Sequence, residues 1–150
     1  MNFVRNLILS LVVGCAVSLA ATTTQASDFT YQFAGTQGTL TGVITIEDVG
    51  PDKNRASSIT MANYYKTDGS VVPLGYHINF YNSHFWVKSN EFQIEDGKIT
   101  SYELIFNTNN GLPAVNWSQK IPYGNFPPPN SVDIKDQPRL NARPTFVPLY

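Results

Sequence analysis

The side chains best suited to binding a ligand are concentrated between positions 77 and 88. This stretch holds both histidines of the 150-residue chain together with tyrosine and tryptophan. If Asn82 and Ser83 form a tight turn, the two-residue period of the flanking strands places these polar and aromatic side chains on one face. That face would carry His77, Asn79, Tyr81, His84, Trp86 and Lys88.

Such a face has the chemistry of a site for a sugar or an aromatic ligand. The rings of Trp86 and Tyr81 would stack on the ligand, while the two histidines and Asn79 would orient it. The alternative is an ordinary solvent-facing sheet surface on which Trp86 covers part of the core, because scattered exposed aromatic residues are common. The alternation cannot be followed through Ser89 and Asn90, where we expect a bend or bulge, so the sequence leaves the face of Trp86 open.

Catalytic and metal sites have little support. Two histidines without a closely spaced carboxylate lack a third metal ligand, and the chain has neither a nucleophile elbow nor a cysteine outside its N-terminal apolar run. The acidic residues in a predicted turn or on solvated faces are Glu91, Glu95, Asp96 and Glu103. We therefore expect a protein without enzymatic activity, metal or cofactor, with a secreted hydrolase as an alternative.

The element next to this stretch is a predicted β-hairpin over residues 90–106. A two-residue loop at Asp96-Gly97 would put the apolar residues of its two strands on opposite faces. A three-residue loop over 95–97, with Gly97 left-handed, pairs Ile94 with Lys98. It puts Phe92, Ile94, Tyr102, Leu104 and Phe106 on one side and leaves Ile99 and Ile105 on the other. Because a slip of one residue moves every side chain to the other face, the hydrophobic pattern predicts the three-residue loop.

Short alternating segments predict further strands around this hairpin. They cover residues 28–34, 39–47, 57–66, 71–81, 85–87 and 112–118. Gly42 lies on the core face of the second strand and leaves room for a large neighbour, such as an aromatic residue of the first. Tyr65 is in phase with the core positions of the third strand, and residues 48–56 predict a polar loop.

These elements predict an all-β fold, an antiparallel β-sandwich or small barrel of about seven or eight strands. The β domain covers residues 27–120. Seven of the ten prolines lie in the last thirty residues. That composition predicts an extended Pro-rich segment over residues 121–150, packed on the β domain or trailing from it.

Residues 1–26 have the layout of a secretory signal peptide. One basic residue precedes an apolar run over 7–19, and small residues follow it. The apolar run is shorter than a typical transmembrane helix. Cleavage after Ala26 is preferred to cleavage after Ala20. Cys15, the only cysteine, leaves with the signal or becomes a lipid-modified N-terminus. We expect a secreted or periplasmic protein without a transmembrane span in the mature chain, with a lipid anchor at Cys15 as the alternative.

The formal net charge of −1 provides no attraction to nucleic acid or to an anionic membrane. With 13% aromatic and 14% charged residues, the chain resembles an exported β-protein more than a cytosolic enzyme. The sequence does not identify a binding partner. A glycan or an envelope component is compatible with these properties, whereas nucleic acid is not. We expect the protein to be a monomer.

Three segments carry a resemblance, namely residues 28–33 (DFTYQF), 38–46 (GTLTGVITI) and 92–100 (FQIEDGKIT). They resemble small exported β-rich proteins of the PEP-CTERM-sorted kind, found in Gram-negative bacteria and cyanobacteria. The resemblance implies an exported β-domain without a shared enzymatic activity and carries over no functional residues. Residues 143–150 lack the Pro-Glu-Pro motif, apolar span and basic end of the sorting signal, which implies a released member.

Taken together, the sequence predicts an exported, non-enzymatic β-domain acting in the periplasm, envelope or extracellular space. The alternative from another functional class is a carbohydrate-binding module with an aromatic platform around Trp86.

Overall fold

The computed structural model describes residues 25–50, 53–82, 85–108, 112–118 and 130–150. Within these ranges the chain is all-β, and its ten strands form one antiparallel sheet that curls into a half-barrel. The strands are β1 (Ala26–Gly35), β2 (Gly38–Gly50), β3 (Lys53–Lys66), β4 (Val71–Asn79), β5 (Phe85–Glu95), β6 (Lys98–Thr108), β7 (Ala114–Ser118), β8 (Ser131–Asp133), β9 (Leu140–Asn141) and β10 (Pro144–Pro148). The prediction of an all-β antiparallel fold is confirmed.

The order of strands across the sheet is β10-β1-β2-β3-β5-β6-β7-β8-β9, and β4 also pairs with β3. Because β2 occupies one edge of β3, both β4 and β5 use the other edge. The start of β3 pairs with β5, where Asn54 faces Phe92, and its second half pairs with β4. The sheet therefore forks along this edge of β3.

The curl brings the two ends of the sheet together over an apolar core. Trp117 of β7 stacks against Phe33 of β1 with ring centroids 5.9 Å apart, and it meets Tyr31 edge-on at 5.0 Å. Phe146 of β10 packs edge-on against Trp117 at 5.9 Å and against Tyr102 of β6 at 5.4 Å. The aromatic side chains of β1, Phe29, Tyr31 and Phe33, are therefore buried in the core.

The prediction that Gly42 makes room for an aromatic residue is confirmed. Tyr31 lies directly opposite Gly42, and its hydroxyl donates a hydrogen bond to the Thr60 carbonyl oxygen at 2.8 Å. A Cβ atom at position 42 would lie 1.9 Å from that carbonyl oxygen and 2.7 Å from the Tyr31 hydroxyl. Both distances are well below van der Waals contact, so only glycine fits here.

The prediction that Tyr65 faces the core is wrong, because a β-bulge interrupts the alternation of β3. The pairing between β2 and β3 slips by one residue at Ala62. Such a slip moves the following side chains to the opposite face. Tyr64 is consequently buried, and Tyr65 is 40% exposed.

The prediction of a three-residue loop in the central hairpin is also wrong. Asp96 and Gly97 have φ values of 51° and 72°, and the residues flanking them pair directly, as in a two-residue type I′ turn. A bulge at Thr100 then restores the alternation, so Phe92, Ile94, Tyr102, Leu104 and Phe106 still face the core. Ile99, predicted on the opposite face, packs against the core as well.

The polar loop predicted over residues 48–56 belongs largely to two strands. β2 continues to Gly50 and β3 begins at Lys53, and these two residues pair at the end of the ribbon. Side chains near this end are mostly exposed or half-buried. Strands whose side chains are this exposed do not need a continuous apolar face. The polar composition therefore predicted a loop where the structure has two strands.

The predicted Pro-rich segment over residues 121–150 is described from residue 130 onward. This part contributes β8, β9 and β10, and β10 pairs with β1. An extended tail is therefore not confirmed, and these strands bring the described sheet to ten. Of the predicted signal segment, residues 1–24 lie outside the described residues. Helices long and apolar enough to cross a membrane are not found in the described ranges.

Candidate functional site

A groove lies where β5, β6 and β7 run side by side, near the start of β5. Its volume is about 330 Å³, within the range of roughly 300–1,000 Å³ for small-molecule sites. We call it the Trp86 groove. The described residues that line it are Trp86, Val87, Lys88, Ile105, Phe106, Asn107, Ala114 and Val115.

Trp86 is on the outer face of the sheet. It pairs with Asn107 of β6, which in turn pairs with Ala114 of β7, and directly paired residues share a face. Trp86 is 75% exposed, and Asn107 is exposed as well. The indole ring therefore has a side-chain amide on the next strand and, one strand further, a residue too small to block access.

A β-bulge places Lys88 in this groove. The pairing between β5 and β6 slips by one residue at Lys88, which becomes an extra residue of its strand. Bulges often re-aim side chains next to functional sites, and Lys88 lines the groove together with Trp86. The bend or bulge predicted at Ser89 and Asn90 is present, one position earlier.

The floor of the groove is packed from the core side of the sheet. Val87, Phe106 and Val115 pair in a row across the three strands on the face opposite Trp86, and the last two are almost completely buried. Phe80, which follows β4, packs edge-on against Phe106 at 5.1 Å. Because its base is packed from below, the groove is formed before any ligand enters.

An ion pair lies beside the groove on β8. Asp133 pairs with Ala114 in the strand register. Its carboxylate accepts hydrogen bonds from Arg139 Nε and Nη2 at 2.6 and 2.8 Å. These hydrogen bonds raise the pKa of Arg139, and the bidentate geometry balances the Asp133 charge locally.

A second carboxylate lies further along β6. Glu103 accepts hydrogen bonds from the hydroxyls of Ser89 at 2.8 Å and Ser118 at 3.3 Å. It is not among the residues that line the groove. Of the described lining residues, Lys88 alone carries a charge.

The structure places the predicted ligand-binding residues on different elements. His77 and Asn79 are exposed on β4, and Tyr81 follows them after the strand. Trp86 lines the groove on β5, whereas these three do not. His84 lies outside the described residues. A role in binding stays a prediction for all five.

Tyr81 takes part in a polar contact that crosses β3. Its side chain is 71% exposed, and its hydroxyl donates a hydrogen bond to the Glu47 carboxylate at the end of β2. This hydrogen bond raises the pKa of Tyr81. The backbone N–H of Tyr81 donates to Asn79 Oδ1 at 2.9 Å. Asn79 thus has a local role in shaping the turn after β4.

Asn107 and Ala114 are groove residues that the predicted loop did not identify. The bulges at Thr100 and Lys88 lie on opposite strands of the hairpin and cancel each other. Counting outward from a two-residue turn therefore pairs Trp86 with Asn107. A two-residue Asp-Gly loop predicts the pairing of Trp86 with Asn107, whereas the three-residue loop does not.

A second cavity of about 370 Å³ lies on the outer face of β1, β2, β3 and β10. The described residues that line it are uncharged, namely Thr30, Tyr31, Gln32, Thr41, Gly42, Val43, Ala62, Thr145 and Val147. Tyr31, the one aromatic residue among them, is buried. Because no described lining residue offers an exposed ring for stacking, the Trp86 groove is the stronger candidate site.

Groups of three or more His, Cys, Asp or Glu side chains that could hold a metal ion do not occur in the described part of the chain. Comparisons with models of protein families, with curated proteins and with solved structures find no match for this chain. A function must therefore be inferred from the groove itself, and the resemblance to PEP-CTERM-sorted proteins stays a prediction.

Proposed function

We propose that this protein is an exported, non-enzymatic β-domain that binds a glycan in the Trp86 groove. The observation that carries the proposal is the 75% exposure of Trp86 at the side of a groove whose floor is packed from the core side. Covering an exposed aromatic ring contributes about 25 cal/mol for each Å² of apolar surface removed from water. The site therefore rewards a ligand with a flat apolar face.

A sugar ring has this combination of surfaces. Its C–H groups form an apolar face that can stack on the indole ring, and its hydroxyl groups point outward from the ring edge. The Asn107 amide offers both a donor and an acceptor to such hydroxyls. Ala114 leaves the space beside the amide unobstructed.

The lining residues support binding over cleavage. Glycoside hydrolysis commonly needs two carboxyl groups about 5–10 Å apart on either side of the scissile bond. The described lining residues include none, and the nearby Glu103 is hydrogen-bonded to two serine hydroxyls. Export is supported by the signal-like layout of residues 1–26, and it would bring the groove into contact with envelope or extracellular polysaccharides.

Glycan-array binding of the purified protein, followed by titration of the best ligand, tests the proposal. We expect Trp86→Ala to weaken binding about 10- to 30-fold, since buried tryptophan anchors are typically worth about 2 kcal/mol. Trp86→Phe should retain part of the affinity because it keeps a ring. Tyr65→Ala removes another exposed aromatic side chain, on β3, and serves as the control. Failure to bind any glycan, or equal affinity of Trp86→Ala and the unaltered protein, would refute the proposal.

A further inference from the structure

The Trp86 groove continues into a longer row of paired residues on the outer face of the sheet. Trp86 pairs with Asn107, and Asn107 pairs with Ala114. Ala114 in turn pairs with Asp133 of β8. The described residues of β6, β7 and β8 pair without a register shift, so the row advances by the regular strand spacing. From Trp86 to Asp133 it covers three such steps, or about 14 Å.

The far end of this row is a fixed pair of polar groups. Asp133 accepts hydrogen bonds from Arg139 Nε and Nη2 at 2.6 and 2.8 Å, so the third guanidinium nitrogen, Nη1, lies on the side away from the carboxylate. The Arg139 side chain is 47% exposed and that of Asp133 is 20% exposed. Both groups can make more hydrogen bonds than the two they share. The pair can therefore bind the hydroxyl groups of a ligand while it stays intact.

The middle of the row leaves room for a chain that joins its two ends. Ala114 has the smallest side chain of the row and stands between Asn107 and Asp133. A pyranose residue in an extended glycan chain is about as long as one strand spacing. A single sugar stacked on Trp86 therefore ends well short of the ion pair, whereas the third residue of a chain reaches it.

The regular spacing of the row also favours one kind of linkage. β-1,4 linkages keep a glycan chain extended, with its rings at nearly equal steps, whereas α-1,4 linkages make the chain curve. The exposed Asn107 amide lies one step from Trp86, where the second ring of an extended chain would be. An extended chain thus has a polar or aromatic partner at each of its first three rings.

We propose that the groove binds an extended, β-1,4-linked glycan chain of at least three residues that lies across the strands, with one ring stacked on Trp86 and the third bound by Asp133 and Arg139. This inference rests on the proposed glycan-binding function and specifies the class and the minimum length of the ligand.

The test is a calorimetric titration with oligosaccharides of increasing length. β-1,4-linked oligomers of glucose, of mannose and of N-acetylglucosamine, each with one to six residues, are compared with α-1,4-linked glucose oligomers of the same lengths. We expect the affinity for at least one β-1,4-linked series to rise up to three residues and then to level off. The α-1,4-linked oligomers should bind more weakly at three residues and above.

The variant that tests the far end combines Asp133→Ala with Arg139→Ala, which removes both groups without leaving an unpaired charge. It should weaken binding of the trisaccharide about three- to tenfold, the scale of one net hydrogen bond, and leave binding of the disaccharide unchanged. Arg139→Lys keeps the charge but loses the forked donors, so it should weaken the trisaccharide by a smaller factor. This second variant decides the question if the double variant does not fold.

Arg143→Ala is the control, because it removes an exposed guanidinium group outside the row. Thermal unfolding of each variant shows whether the fold is intact. Equal affinity for the disaccharide and the longer β-1,4-linked oligomers, or a gain with length that survives the substitutions at positions 133 and 139, would overturn this inference and leave the proposed function standing. Binding on the array only to glycans without a β-1,4-linked chain would have the same meaning. Absence of binding to every glycan would overturn both.

Discussion

At the scale of single residues, the fold depends on close packing and hydrogen bonding among Tyr31, Gly42 and Thr60. The tyrosine ring occupies the space that a side chain at position 42 would need, and its hydroxyl satisfies the Thr60 carbonyl oxygen next to the Ala62 bulge. The Thr60 hydroxyl in turn accepts a hydrogen bond from the Val43 backbone N–H at 3.0 Å. Side chains thus replace ladder hydrogen bonds that the bulge displaces.

Tyr31→Phe should lower the free energy of unfolding by about 1–2 kcal/mol at neutral pH, because a buried carbonyl oxygen loses its donor. The difference between the two proteins should narrow as the pH rises above 10. Burial raises the pKa of Tyr31 above its usual value of 10.0, so above that pH the unfolded chain ionises while the folded chain stays protonated. Stability is lost as pH rises in this case, by up to about 1.4 kcal/mol per pH unit for one group.

Urea denaturation between pH 7 and pH 11 measures this difference. Tyr65→Phe is the matched control, since it removes the hydroxyl of a ring that is 40% exposed. A constant gap between Tyr31→Phe and the unaltered protein across this range would contradict the expectation.

At the scale of elements, the fork in the sheet is held by a side chain that acts as a strand partner. Asn90 of β5 accepts a hydrogen bond from the Ala56 backbone N–H and donates one to the Ala56 carbonyl oxygen, both at 2.8 Å. These bonds join β5 to β3 beside the single residue pair between Asn54 and Phe92. Beyond Ala56, the edge of β3 is taken by β4. Asn90 therefore stabilises the junction from which β5 diverges toward the Trp86 groove.

Asn90→Asp should destabilise the protein at pH 7 by about 2 kcal/mol and less at pH 4. An ionised carboxylate can accept from the Ala56 N–H but cannot donate to the Ala56 carbonyl oxygen. A protonated carboxyl can do both, so the folded state should raise the pKa of the introduced acid. For an acid with a raised pKa, stability is present at low pH and is lost as the pH increases.

The matched control for this change is Asn141→Asp on the exposed β9 position, which should be insensitive to pH in the same experiment. Chemical denaturation at pH 4 and pH 7 supplies the measurement. If Asn90→Asp were equally destabilised at both pH values, the two-bond role of Asn90 would have to be abandoned.

At the scale of the whole molecule, the half-barrel is completed by β10 packing across the core. Phe146 is the residue through which β10 meets the opposite side of the sheet, with edge-on contacts to Phe92 at 6.5 Å, Tyr102 at 5.4 Å and Trp117 at 5.9 Å. Its neighbour Val147 points to the outer face and is 61% exposed. The contacts of Phe146 thus link β10 to β5, β6 and β7.

Phe146→Ala should cost about 2–4 kcal/mol of unfolding free energy, somewhat below the usual cost for a fully buried phenylalanine because this ring is half-buried. Val147→Ala should cost less than about 0.5 kcal/mol. Hydrogen exchange should also accelerate in β1 and β10 of Phe146→Ala before it does in β2 and β3. Equal stability of the two variants would show that the strand pairing with β1, and not the aromatic packing, holds β10 in place.

Local features of the sequence correctly predicted most strands and most core faces of residues 28–118. Alternation placed Phe92 and Leu104 on the core face of the hairpin, and the absence of a side chain at Gly42 indicated an aromatic neighbour. These properties are local, since each depends on a period of two residues and on the size of adjacent side chains.

Only the tertiary structure decided where the extra residues of the sheet are inserted and which segments pair over long distances. The bulges at Ala62, Lys88 and Thr100 depend on the partner strand, and β10 joins β1 across more than a hundred residues of chain. The groove depends on the same choices, because Trp86 meets Asn107 and Ala114 through register. Hydrophobic pattern constrains which face a side chain occupies, whereas register is the outcome of packing between strands, and a single sequence does not contain that information locally.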